Sequence, residues 1–321
     1  MSLLEVDALQ VAYGTGRTRL NAVDGVSLVV EEGASLGVVG ESGSGKSTLA
    51  RAIVQIVPSS SGRIILDGRD VTNATGSAAR AVREQVQMVF QDPFASLNPR
   101  MTVGATLEEA VRLHDEAAGS GAARRKRVEE LLEMVRLDRS AMHRYPNQFS
   151  GGQLQRVSIA RALAATPRLL ILDEVTSALD VSVQAAILNL LRELRQTLGL
   201  SYICISHDLS VIDYLCERVV VLYLGQVVEA SSSGALFGSP RHPYSRTLLD
   251  SVPRIDERNV VVTVDGDVPN PRRPPAGCRF HPRCPTGPNA NSERTICRSD
   301  DPHLGAHECA GTYVACHFPL A

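Results

Sequence analysis

The sequence predicts an α/β fold: a mixed sheet around a phosphate-binding core, a helical subdomain, and a small loop-rich C-terminal extension. Three observations carry this expectation. A G-x-x-x-x-G-K-S run, Gly40 to Ser47, stands between a strand-like apolar segment and a helix-like one. A second apolar run ends in Asp173-Glu174. Before it, Ser150-Gly151-Gly152-Gln153 opens a further helix with the features of an anion receptor, in a chain that already has one. Residues 1 to about 95 alternate short β-branched runs with turns such as Asp67-Gly68. The pattern is helical from about 96 to 165, and strands alternate with helices from 166 to about 230.

The first receptor follows Ser35-Leu36-Gly37-Val38-Val39, which reads as a buried strand, and runs into Thr48 to Val54, which reads as a helix. Within Gly40-Glu41-Ser42-Gly43-Ser44-Gly45-Lys46-Ser47, the glycines permit backbone conformations that direct consecutive N–H groups at a phosphate. Lys46 supplies charge to the β- and γ-phosphates, and the Ser47 hydroxyl can ligate Mg²⁺. Leu169-Leu170-Ile171-Leu172 reads as a central parallel strand buried on both faces. At its carboxyl end, Asp173 is placed to hold Mg²⁺ through water and Glu174 to polarise an attacking water as general base. In the second receptor Ser150 caps its helix and Gln153 completes an S-x-x-Q capping box. Gly151 and Gly152 leave backbone N–H groups open to an anion at the positive end of the helix dipole.

Composition sets limits. A formal charge of −2 gives no basic excess, so nucleic acid is not expected as a partner. No apolar stretch approaches the ~20 residues needed to span a bilayer, and the first residues lack a signal-peptide pattern. The one basic run, Arg124-Arg125-Lys126-Arg127, precedes a Val128, Leu131, Leu132, Val135 stripe and so decorates an exposed helix face. Cys204 and Cys216 lie in apolar runs and read as small core residues.

From about residue 3 to 250 the chain resembles the nucleotide-binding domain of ABC transporters. Every motif of that family occurs here in the expected order. The resemblance implies a P-loop NTPase core with a RecA-like lobe and a helical subdomain that carries Ser150-Gly151-Gly152-Gln153 as the signature. It implies ATP and Mg²⁺ as cofactors, with Tyr13 stacking on adenine. Gln91 matches the glutamine loop, which contacts Mg²⁺ and water; Asp180, in Ser177-Ala178-Leu179-Asp180, matches the D-loop; His207 matches the switch histidine at the γ-phosphate. Two departures are Phe149 where leucine is usual and Val175 where proline usually follows the catalytic glutamate; neither removes a reacting group. The chain has one phosphate loop, one signature and no internal repeat. In this family the signature faces the phosphate loop of another cassette, so a second ATPase cassette is an implied partner.

The expected division is 1–250 for the ATPase domain and 251–321 for an extension. Ser239-Pro240-Arg241-His242-Pro243-Tyr244 and Asn98-Pro99 resemble oligopeptide and dipeptide importers. Five cysteines follow a Pro269–Pro275 linker: Cys278, Cys284, Cys297, Cys309 and Cys316. Disulfides do not suit a reducing compartment, and a tail with little core favours metal ligation. Cys278, Cys284, Cys297 and Cys316 resemble the four thiolate ligands of a [4Fe–4S] cluster in such importers, with Cys309 as a substitute ligand. His281, His307 and His317 leave Zn²⁺ as an alternative, and unliganded thiols are a third. The resemblance further implies two transmembrane permease subunits, an extracytoplasmic substrate-binding protein, and a peripheral position on the cytoplasmic face of the membrane. Nickel or another small solute is the alternative cargo. A non-transport ABC ATPase acting on nucleic acid is the alternative class.

Overall fold

A computed structural model describes residues 2–114, 120–251, 267–305, 307–309 and 311–321. The chain opens with β1 (Ser2–Tyr13), β2 (Leu20–Glu31), β3 (Ser35–Val39) and α1 (Lys46–Ile53). Next come β4 (Ser61–Leu66), β5 (Arg69–Asp70), α2 (Gly76–Gln85) and β6 (Val86–Val89). A helical stretch follows, with α3 (Pro93–Ser96), α4 (Val103–His114), α5 (Gly121–Met134) and α6 (Gly151–Leu163). Then β7 (Leu169–Asp173), α7 (Val181–Leu198), β8 (Ser201–Ile205), α8 (Leu209–Leu215), β9 (Arg218–Tyr223) and β10 (Gln226–Ser232) return to the sheet. The chain continues through α9 (Ser233–Gly238) and α10 (Pro243–Asp250) to β11 (His307–Cys309) and β12 (Thr312–Val314).

Two sheets result. A four-stranded antiparallel sheet has the order β2-β1-β4-β5, and the larger sheet runs β11-β12-β10-β9-β3-β8-β7-β6. The Asp67-Gly68 turn joins β4 to β5 with φ of 51° and 73°, the positive pair that a two-residue hairpin needs. Within the larger sheet β9, β3, β8, β7 and β6 are parallel, while β10, β12 and β11 are antiparallel additions.

Alternation along β7 explains its apolar run. Leu169 and Ile171 pack into one core and Leu170 and Leu172 into the other, so both faces of the strand are covered. On α5, Val128, Leu131 and Leu132 are buried together with Val135 just beyond it, while Arg125 and Lys126 stay exposed. Apolar spacing rather than charge therefore decides how α5 docks. Cys204 and Cys216 are buried core thiols. No helix among the described residues is long and apolar enough to cross a membrane.

The C-terminal extension is more integrated than a 1–250 and 251–321 division suggests. Strand β12 pairs with β10 through Glu229–Val314 and Ala230–Tyr313, so the extension adds to the main sheet. Phe280 is 1% exposed and belongs to the principal core. The join between the two expected units runs into residues 252–266, outside the described residues.

Candidate functional site

Four neighbouring parallel strands, in the order β3-β8-β7-β6, end on one side of the sheet and each hands over to a polar segment. β3 leads into Gly40–Ser47, β8 into Ser206-His207, β7 into Asp173-Glu174, and β6 into Phe90-Gln91. Carboxyl ends of parallel strands are where open α/β sheets collect ligand-binding groups. Most of the residues picked from sequence are thus brought together by topology.

Close backbone approach dictates two of the loop's three glycines. A Cβ at Gly45 would sit 2.1 Å from the Ala22 carbonyl oxygen, and one at Gly40 would sit 2.2 Å from that of Leu222. Both positions also have positive φ, 105° and 150°. Ser42 and Gly43 are exposed at the tip, Ser44 is buried, and Ser47 and Thr48 are half-buried on the first turn of α1. The Lys46 ammonium donates to the carbonyls of Gly40 at 2.7 Å and Glu41 at 2.9 Å. Burial lowers its pKa, against the opposing pull of Glu174, Asp173 and Glu41.

Ser47 donates its hydroxyl to Asp173 at 3.0 Å, which brings two hard oxygen ligands side by side. Burial raises the Asp173 pKa while the Ser47 hydrogen bond opposes the rise. Glu174 adopts φ of 49°, unusual for a side chain with a Cβ. Its N–H donates to the Ile205 carbonyl at 2.9 Å, and the Ser177 hydroxyl donates to its carbonyl at 3.0 Å. His207 Nδ1 lies 3.3 Å from a Glu174 carboxylate oxygen. The Gln91 amide reaches the Ser177 hydroxyl at 3.5 Å, so Gln91, Ser177 and Glu174 form one short chain. Chemically, the arrangement can seat a phosphate, hold a divalent cation and place a carboxylate and an imidazole beside an attacking water.

The capping box forms at the start of α6. Ser150 Oγ accepts from Gln153 N–H at 3.4 Å, and Gln153 Oε1 accepts from Ser150 N–H at 3.1 Å. Gly152 has a further role that the motif conceals. A Cβ there would meet Val183 Cγ1 at 2.3 Å, so this glycine lets α6 approach α7. Among the described residues, no hydrogen bond links Ser150–Gln153 to Gly40–Ser47. Phe149 is buried beneath the Arg144 guanidinium at 4.1 Å, which gives the aromatic replacement a local partner. Val175 is buried in the core. Asp180 is exposed at the N-cap of α7, beside Val181 at 84% exposure. Tyr13 is exposed at the end of β1.

In the extension, Cys278, Cys284, Cys297 and Cys316 line one narrow cavity of about 10 Å³, with His281 and His317 at its wall. Burial pushes the Cys278 thiol up to about 12 and Cys316 to about 11, with the neighbouring cysteines adding to the rise. Cys309 is exposed on β11 and does not line this cavity, and His307 is exposed beside it. Among the described residues, no three Cys, His, Asp or Glu side chains gather closely enough to hold a single metal ion. Sequence reasoning missed the contacts that Arg283, from the extension, and Tyr244, from α10, make with Glu41. Arg283 is 242 residues from Glu41 along the chain, so no local pattern could reveal it.

Comparison with known proteins agrees with this geometry. The ABC transporter family matches residues 23–177, and the oligopeptide/dipeptide transporter C-terminal region matches residues 228–289. The oligopeptide transport ATP-binding protein AppF of Bacillus subtilis is 44% identical over 303 residues, covering 93% of this chain and 89% of AppF. A Brucella ovis protein with a provisional peptide import ATP-binding name is 45% identical over 288 residues, 88% of this chain and 89% of its own length. Among solved structures, the ATP-binding cassette MJ0796 bound to ADP and Pi has a TM-score of 0.65 at 32% identity, covering 72% of this chain and 98% of that one. The cbiO1 protein of Clostridium perfringens, part of the ABC transporter complex cbiONQ, has a TM-score of 0.66 at 29% identity, covering 74% of this chain and 91% of that one. With its phosphate loop, acidic strand end and C-terminal region all accounted for, this chain belongs to the ABC transporter ATP-binding family, in the branch that carries the oligopeptide/dipeptide transporter C-terminal region.

Proposed function

We propose that this chain is the ATP-hydrolysing subunit of an importer for oligopeptides or dipeptides. The observation that carries this reading is the delivery of Lys46, His207, Glu174 and Gln91 by four adjacent strand ends, in a chain that also has the peptide-transporter C-terminal region. Lys46 and the loop N–H groups bind the β- and γ-phosphates of ATP. Ser47 and Asp173 would hold Mg²⁺, whose charge offsets the negative charge building on the phosphate oxygens. Glu174 takes a proton from the attacking water, and His207 and Gln91 orient the reacting groups. Water attacks the γ-phosphorus and the bond to the bridging oxygen breaks, giving ADP and phosphate.

Ser150–Gln153 and Asp180 act on the nucleotide of a second cassette. Supporting this, the N–H groups of Gly151 and Gly152 have no acceptor among the described residues, as expected of a helix start open to an anion. Closure over two ATP molecules stores the differential affinity that drives two membrane permease subunits, and hydrolysis reopens the pair. An open groove beside Phe90, of about 440 Å³ and lined by Val54, Ile56, Met88, Phe90 and Leu113 together with Arg80, Arg83 and Arg161, suits a permease segment with one apolar and one polar side. On this reading the chain is peripheral at the cytoplasmic face, and a substrate-binding protein delivers the peptide outside.

The four cysteines lining one cavity support a [4Fe–4S] cluster as the reading of the extension, with zinc as the alternative. Zinc would need its thiolates about 2.3 Å from one point, whereas a cluster takes each thiolate on a different iron and is surrounded. His242 also lines the cavity at 1% exposure, and burial pushes its pKa down to about 3, so its ring is neutral there. Its Nδ1 accepts from Tyr244 N–H at 3.0 Å, which leaves Nε2 as the protonated nitrogen of the neutral ring. When bound, the cluster would tie the extension together. The importer reading is tested by reconstitution with the permease subunits and binding protein in vesicles. Oligopeptide is expected to stimulate phosphate release, and a response to no peptide would reject the assignment.

A further inference from the structure

Glu41, the second residue of the phosphate loop, has all of its polar groups in use, and the C-terminal extension takes up both of its carboxylate oxygens. Arg283 donates through Nη1 and Nη2 to the two Glu41 carboxylate oxygens at 2.8 and 3.0 Å. Its side chain is only 6% exposed, so the fork is held away from solvent. The Tyr244 hydroxyl accepts the Glu41 N–H at 2.8 Å, and Lys46 donates to the Glu41 carbonyl. Behind these contacts the rings of Tyr223, Tyr244 and Phe280 pack with centroids 4.6 to 5.3 Å apart. Arg279 anchors the same segment by donating to the Leu224 carbonyl at 2.5 Å and pairing with Asp24.

We propose that the extension is a working part of the nucleotide site, in which its Arg283, together with Tyr244 of α10, positions Glu41 and so keeps Lys46 available for phosphate. The physical need is clear from charge. The Lys46 ammonium already reaches Glu41, donating to its carbonyl at 2.9 Å. A carboxylate without Arg283 would be a partly buried charge lacking a partner, and Lys46 is the nearby cation it could take. Such a pair would neutralise the charge meant for the phosphates. Arg283 prevents it by clamping both carboxylate oxygens, and Tyr244 fixes the backbone on the other side.

This proposal rests on the nucleotide-site reading, and calorimetric titration of the full chain with MgATP separates the two: wild-type binding tests the site, and the ratio of variant to wild type tests Arg283 and Tyr244. Arg283→Ala is expected to weaken MgATP binding about tenfold. Adding Glu41→Gln removes the competing charge and should bring affinity back to within about threefold of wild type. A merely structural contact predicts no such rescue. Tyr244→Phe keeps the ring packing and should weaken binding about threefold, so the test stays decisive even if Arg283→Ala does not fold. Unchanged affinity in Tyr244→Phe, or a folded double variant as weak as Arg283→Ala, would overturn the proposal.

Discussion

His207 Nδ1 stands 3.3 Å from the Glu174 carboxylate, joining the ends of β8 and β7 across the space beside the phosphate loop. Glu174 is held there at a positive φ by the Ile205 carbonyl and the Ser177 hydroxyl, a strain of the order of 1–3 kcal/mol that functional sites commonly retain. Glu174→Gln keeps the shape and removes the base. It is expected to lower phosphate release about a hundredfold or more while leaving ATP binding intact, so that size-exclusion chromatography with MgATP finds a stable dimer. Full turnover by this variant would remove Glu174 from the role of base.

A signature that serves another cassette makes a specific prediction about mixtures. In a dimer of two copies, a Lys46→Ala chain and a Gly151→Asp chain are each inactive, because every composite site contains one damaged half. Mixed, they form dimers with one intact site and one doubly damaged site. Hydrolysis should therefore reappear on mixing, measured as phosphate release against protein ratio. Activity that stays at the single-variant level would show that loop and signature act within one chain.

Gly152 is expected to matter for packing as well as for anions. Its absent Cβ would lie 2.3 Å from Val183 Cγ1, so Gly152→Ala should cost about 1–3 kcal/mol in urea unfolding. Val183→Ala opens that space, and the double variant should recover most of the loss. Additive effects in the cycle would mean that the two residues do not compete for one volume.

Much of the site was legible because its chemistry is local. The strand, loop and helix around Lys46, and the capping box at Ser150, are patterns within about twenty residues, and their geometry follows from backbone stereochemistry. The placement of Glu174 beside His207 also follows once β7 and β8 are neighbours, since both residues sit just past strand ends. What the sequence concealed is long-range. Strands β11 and β12 are three residues each, too short for an alternation signal, yet β12 fixes the extension to β10. The Arg283–Glu41 and Arg279–Asp24 pairs link positions over 240 residues apart, where neither partner carries a distinctive local pattern. Gly152 misleads in a subtler way, because one residue answers both a motif and a packing demand.

The cysteines separate into two kinds, and that division is testable. Cys278, Cys284, Cys297 and Cys316 face a common cavity, whereas Cys309 lies exposed on β11. Cys278 and Cys316, held neutral by burial, must lose their protons to ligate a metal. Protein purified without oxygen is expected to carry the broad visible absorption of an iron–sulfur cluster. Cys297→Ser should abolish it, because serine cannot replace a soft thiolate, while Cys309→Ser should leave it unchanged. Zinc by elemental analysis with no visible band would replace the cluster reading with the zinc one. Loss of the band in Cys309→Ser would place the ligand set outside this cavity.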